Sequence, residues 1–164
     1  MSVPGRALGV DYGTKRVGIA VSDGLGIAAT AIDVIEETDP GIVAKRVAAI
    51  AKDKGAVVLV VGMPVNMDGT EHANHAKVKA FAEMCGRMAG MPVEYVDERL
   101  TTVEAGRRLW ESGLTHKDRK SRVDQVAAAL ILQSWLEQRR AAKRRAAASE
   151  AEGSGEGTDG EPTG

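Results

Sequence analysis

The stretch Gly9-Val10-Asp11-Tyr12-Gly13-Thr14-Lys15-Arg16-Val17-Gly18-Ile19-Ala20-Val21-Ser22-Asp23 reads as strand, glycine turn and strand, with one carboxylate inside the first strand. Strand side chains alternate, so Leu8 and Val10 face one way while Ala7, Gly9 and Asp11 face the other. In the second strand Val17, Ile19 and Val21 alternate in the same manner with Gly18, Ala20 and Ser22. The hairpin therefore has one bulky face and one that is nearly bare around Asp11. Glycine and alanine weaken a strand on their own account, so a bare face marks the close approach of another backbone or of a ligand.

Working outward, Asp23-Gly24 supplies a turn and Ile27 to Val34 a third, weaker strand, giving an antiparallel meander. Asp39 and Pro40 read as N-cap and first residue of a helix, with Val43, Val47 and Ile50 as its apolar stripe and Gly55 closing it. Val57 to Val61 is apolar on both alternating faces, as an inner parallel strand covered on two sides should be. It ends at Gly62-Met63-Pro64 and a loop through Thr70. A second helix is expected from about Glu71 to Met88, burying Val78, Phe81, Met84, Cys85 and Met88 and stopped by Gly90 and Pro92. Val93 to Asp97 mixes Glu94 with Val96, as an edge strand does, and Glu98 stands where it stops. Thr101 and Glu104 have capping-box spacing for a short helix through Glu111, His116 to Arg122 reads as a basic loop, and a long Ala-rich helix is expected from Ser121 to about Ala148. The sum is an α/β fold: a mixed five-stranded sheet, three antiparallel strands then parallel strands, flanked by helices.

The 164 residues suit one domain, expected over 1–148, and the Gly- and acid-rich residues 149–164 are expected to be a disordered tail. The net charge of −1 hides an asymmetry. Five acids and no base lie from Ser149 onward, which leaves the first 148 residues with 22 basic against 18 acidic side chains, a balance that favours a polyanion. No apolar run approaches a membrane span, there is no signal pattern, and the lone Cys85 sits in an amphipathic helix. A reduced, cytoplasmic protein with no membrane partner is the expectation, as a monomer or homodimer.

Three carboxylates carry the chemistry. With Ser121 as N-cap, Asp124 would be a capping acid at the third helical position, but it also shares a helical face with Ala127, Ala128, Ile131 and Trp135. That small, apolar face suits the bare face of the hairpin, which would make Asp124 and Asp11 neighbours. Glu98 alone reads as a solvated acid, and Asp11 alone as a turn acid. Together, three converging carboxylates repel unless a cation neutralises them, and hard oxygen donors suit Mg²⁺ or Mn²⁺. Lys15, Arg16, Arg99, Lys120 and Arg122 flank the acids in sequence and are the candidate nucleic-acid contacts. His72 and His75, one helical turn apart, lack the further ligands a zinc site needs. The basic run after Gln138 reads as a solvated helix end favoured by the helix dipole, with phosphate attraction as the minority reading.

Four separated motifs, Asp11 through Gly18, Gly62-Met63-Pro64 with Asn66-Met67-Asp68-Gly69, Asp97 through Thr102, and Asp124 through Gln133, together resemble the YqgF/RuvX family. The resemblance runs from about Leu8 to Leu136. Its members are RNase H-like proteins described as Holliday-junction resolvases and pre-16S rRNA nucleases. The resemblance implies an RNase H-like fold, a catalytic and metal-binding acidic site at Asp11, Glu98 and Asp124, and structured RNA or branched DNA as partner. The expected reaction is hydrolysis of a phosphodiester by water with no covalent enzyme intermediate, because no Ser or Cys in the motifs has a His base at suitable spacing. Two rival readings stand beside it. Asp11-Tyr12-Gly13-Thr14 resembles the first phosphate loop of actin-like ATPases, although a second Asp-x-Gly-Thr is lacking, and a non-catalytic nucleic-acid-binding partner could retain the same acids.

Overall fold

The computed structural model describes residues 5–13, 15–66, 68, 70, 72–98 and 116–155, by backbone alone at 116–125 and 153–155. Strands β1 (Arg6–Tyr12), β2 (Val17–Ser22) and β3 (Ala29–Ile35) form the antiparallel meander. Helix α1 (Pro40–Asp53), strand β4 (Ala56–Met63), helix α2 (His75–Ala89), strand β5 (Val93–Asp97) and helix α3 (His116–Gly155) follow. The sheet order is β3-β2-β1-β4-β5, with β4 parallel to both β1 and β5. This is the mixed five-stranded sheet expected from the sequence, with β5 at an edge.

The two faces of β1 and β2 divide the core. Leu8, Val10, Val17 and Ile19 pack with Leu59 and Val61 beneath α1 and α2, whose buried stripes are Val43, Ala44, Val47, Ala48 and Ala51, and Val78, Phe81, Ala82, Cys85 and Ala89. On the opposite face Ala7, Ala20, Val58, Val60 and Val96 pack against Ala128, Ile131, Leu132, Trp135 and Leu136 of α3. The bare face is bare because a helix lies on it: a methyl group added at Gly9 would come 2.8 Å from Leu132 Cβ and 3.0 Å from the Ala128 carbonyl oxygen. Gln133 fixes the helix laterally, accepting from the Ala29 amide (3.1 Å) and donating to the Ile27 carbonyl (3.2 Å).

Capping at α1 follows the sequence, with Asp39 Oδ1 accepting from the Gly41 amide at 2.9 Å and the Ile42 amide at 3.3 Å. Other boundaries differ, each for a local reason. β3 starts at Ala29 rather than Ile27 because the carboxylate of Asp23 ties down the amides of Leu25, Ile27 and Ala28. α2 starts at His75 rather than near Glu71, which lies outside the described residues; His72 Nδ1 accepts the Asn74 amide and holds a turn instead. Met88 is 43% exposed, not buried, because the stripe of α2 continues from Cys85 to Ala89, one full turn on. Gly90 ends α2 at φ 68°, a left-handed conformation that favours glycine.

The largest correction concerns α3. Residues His116 to Arg122 are helical, not a basic loop, so Ser121 lies inside the helix and does not cap it. The run contains no Gly or Pro and is rich in Lys and Arg, which are good helix formers. At the other end the helix continues to Gly155, past the expected stop near Ala148, so residues 149–155 are helical. The short helix expected over Thr101 to Glu111 lies outside the described residues. No described helix is long and apolar enough to cross a membrane.

Candidate active site

Asp11 is the penultimate residue of β1, and its neighbours across the sheet decide its surroundings. On β2 it pairs with Gly18. On β4 the pairing ends with Gly9 to Val60 and Val10 to Val61, and Asp11 and Gly62 each follow one residue past that last pair. Paired residues share a face, and Val60 and Ala20 pack on the α3 side. Asp11 therefore stands on the α3 face, opposite a β2 residue that presents no side chain to it.

Glu98 reaches the same face from the far side of β4. Val96 pairs with Gly62 and is buried on the α3 face, so Glu98, two residues on, returns to that face. Its amide donates to the Met63 carbonyl at 3.2 Å, which holds the chain beside β4 just past the last strand pair. A methyl group added to Gly62 would come 2.7 Å from Glu98 Oε1 and would collide with Ile131 Cδ1. The hydrogen side chain of Gly62 is thus what admits the Glu98 carboxylate to this place. Both acids are half-buried.

The third acid lies on α3, which runs antiparallel to β1: Arg139 and Arg140 are near Gly5 and Ala7, and Ala128 is over Gly9. The backbone of Asp124 is one turn before Ala128, about 6 Å along the helix, while Asp11 is two residues beyond Gly9, about 7 Å along the strand. The two advances are of similar length. Eight residues into its helix, Asp124 is also too far from the free amides of the first turn to serve as a cap.

Around these acids cluster the loops at the C-terminal ends of the parallel strands, the end where open α/β sheets gather ligands. The β1–β2 turn closes through the Gly13 amide and the Arg16 carbonyl at 2.9 Å, presenting an exposed Lys15. Arg16 Nε lies 3.3 Å from Glu36 Oε1, so part of its charge is engaged at the end of β3. After β4, Asp68 Oδ1 accepts from the Thr70 amide and hydroxyl, and Asn66 donates to the Thr70 hydroxyl, closing a small loop. On the opposite face Tyr12 stacks on Phe81 with ring centroids 4.2 Å apart, which anchors the strand end that carries Asp11.

Of the expected site residues, Asp11 stands on the α3 face near the end of β1 and Glu98 lies over Gly62 near the end of β4. Asp124, Lys120 and Arg122 are placed by backbone on α3, and Arg99 lies outside the described residues. Gly62 is the site residue that sequence reasoning missed in role, whereas Gly18 was already read as part of the bare face around Asp11. The signal for Gly62 was present, a glycine interrupting an otherwise unbroken apolar strand. Among the described residues no group of three or more His, Cys, Asp or Glu side chains is arranged to hold a metal ion.

Comparison with known proteins bears on this geometry. Residues 5–138 match the family model described as RuvX, Holliday junction resolvase. A protein of Crocosphaera subtropica is 42% identical over 135 residues, covering 82% of this chain and 94% of its own. One from Myxococcus xanthus is 40% identical over 135 residues, covering 82% and 89%. Both carry the name "Putative pre-16S rRNA nuclease". Among solved structures, Thermus thermophilus RuvC superposes with a TM-score of 0.51 at 16% identity, over 83% of this chain and 96% of that one, and so shares the fold.

Proposed function

This chain belongs to the RuvX family, and on that premise we propose that it is a metal-dependent endonuclease whose centre is Asp11, Glu98 and Asp124. The reaction is hydrolysis of a phosphodiester bond, with processing of the 5′ end of pre-16S rRNA in the cytoplasm as its setting. The buried free Cys85 suits such a reducing compartment. One observation carries the reading: the carboxylate of Glu98 lies over Gly62, which like Asp11 follows the last β1–β4 pair, at a place where a single added methyl group would collide with it.

The residues fit a hard divalent cation. Carboxylate oxygens are the donors Mg²⁺ and Mn²⁺ prefer, and an ion held by them keeps water and phosphate oxygens among its remaining ligands. Asp11 from β1, Glu98 from the end of β5 and Asp124 from α3 would hold the ion. When bound, the cation makes a water more acidic and offsets charge on the attacking and leaving oxygens.

The chain's own side chains do the remaining work. The three carboxylates fix where the scissile phosphate must sit. Lys15, Arg16, Arg99, Lys120 and Arg122 supply the cations that hold phosphates on either side of the cleavage point. No protein nucleophile takes part. The single thiol, Cys85, is buried beneath the sheet and its pKa is pushed up to about 12 by desolvation, so it offers neither access nor thiolate.

A second reading, branched DNA as substrate, is favoured by the description of the matching family model. One assay separates them: the wild-type protein with Mg²⁺ or Mn²⁺, offered a 5′-extended 16S rRNA precursor and a four-way DNA junction. Cleavage of the precursor near the mature 5′ end, with the junction left intact, is the expected result. Cleavage of the junction alone would transfer the function to branched DNA, and cleavage of neither would favour a non-catalytic binding partner.

A further inference from the structure

At the end of the sheet opposite Asp11, a cavity of about 120 Å³ opens between the start of β1, the end of β2 and the second half of α3. Its floor is small, with Gly5, Ala7, Ser22 and Gly24, and Trp135 forms part of its wall. Its rim carries Arg139, Arg140 and Lys143, and no acid is among its lining residues. Arg139 is stacked on the Trp135 ring at 4.9 Å, which keeps a cation in place over the indole.

Two features set this patch apart from an ordinary solvated helix face. Among the described residues Arg140 Nε, which is buried, has no hydrogen-bond partner, and a buried guanidinium donor left unmatched is costly. The helix dipole also fails to explain the cations. α3 continues to Gly155, so Arg139, Arg140 and Lys143 stand three turns or more from its end, and its last turn carries no base.

We propose that this cavity is a phosphate-binding subsite that takes a backbone phosphate of the polynucleotide, holding the strand along α3 at a distance from the acids. The inference rests on the nuclease reading for the identity of the polymer. Arg140 donates to a phosphate oxygen from inside the cavity and Lys143 adds charge at its rim, while the small floor admits the sugar. From Asp124 to Arg140 the helix rises about 24 Å, and one strand of an A-form RNA duplex advances about 2.8 Å per phosphate, so about eight phosphates separate the two sites.

The test is length dependence. Duplex RNAs from four to fourteen base pairs are titrated in Ca²⁺ against the wild type, against Arg140→Gln with Lys143→Gln, and against Arg144→Gln with Arg145→Gln, which removes equal charge outside the cavity. Wild-type affinity should step up about tenfold once the duplex passes about eight pairs; the first variant should lose the step and the second keep it. Circular dichroism of each variant checks that α3 is intact, and Arg140→Lys should restore part of the step. Equal affinity of wild type and first variant at every length, or equal loss in both double variants, overturns the subsite. Inorganic phosphate and a nucleoside 5′-monophosphate, followed through the Trp135 indole N–H resonance, give the second arm. Weak shifts by both are expected, whereas saturation by either as tight as by the long duplex would assign the cavity to a free anion and overturn the strand assignment. A protein that cleaves no substrate yet shows the step would sink the nuclease reading and leave the subsite standing.

Discussion

Gly62 is where one atom decides the centre. A methyl group there meets Glu98 Oε1 and Ile131 Cδ1 within 2.7 Å, so Gly62→Ala must push aside the carboxylate or the helix. Overpacking of this kind costs about 1–3 kcal/mol, measurable by urea denaturation, and turnover should fall further than stability because the displaced group is Glu98. Asp23 acts at the same scale through charge. Its carboxylate accepts the Ile27, Ala28 and Leu25 amides, with the Ile27 bond foremost in lowering its pKa below the usual 3.8. A carboxyl whose pKa is depressed on folding adds stability above its unfolded pKa and loses it as pH falls through the folded one. Asp23→Asn should therefore flatten the acid limb of a melting-temperature profile below about pH 4 and leave it unchanged in shape above. Cys85 gives the third check: with its thiol pushed up to about 12, iodoacetamide at mildly alkaline pH should label it only when the protein is unfolded.

Among the elements, the opening hairpin was legible because glycine and alanine on alternate positions around an acid admit few other readings, and α1 because Asp39 and Pro40 mark its start in two residues. The start of α3 was not. His116 to Arg122 is hydrophilic without apolar periodicity, so sequence pattern places it in solvent, and only propensity, a weak guide, speaks for helix. The role of Gly62 was hidden for another reason: local sequence does not say which strand lies beside Asp11, and the parallel pairing of β1 with β4 joins residues fifty-one positions apart. α3 is held against β3 by Gln133, whose two bonds to Ile27 and Ala29 were equally invisible in sequence. Gln133→Ala should cost about 1 kcal/mol, because water can reach these half-exposed groups and replace part of what is lost, and should first loosen the 27–29 segment in amide hydrogen exchange.

Across the whole molecule, the sheet sorts its work by face and by end. The α1–α2 face is an apolar core; the α3 face carries the proposed acidic centre at the C-terminal ends of the parallel strands and a cationic cavity at the other end. Such a layout suits a long polyanion better than a small substrate, and it makes Asp11 the pivot. The most direct test of that claim is single-turnover cleavage of the 5′-extended 16S rRNA precursor by wild type and Asp11→Asn in Mn²⁺, with affinity for the same RNA measured in Ca²⁺. The account predicts that the rate falls by about a thousandfold or more while affinity changes less than about threefold, since the carboxylate serves the chemical step and not docking. Cleavage by Asp11→Asn at the wild-type rate would contradict it.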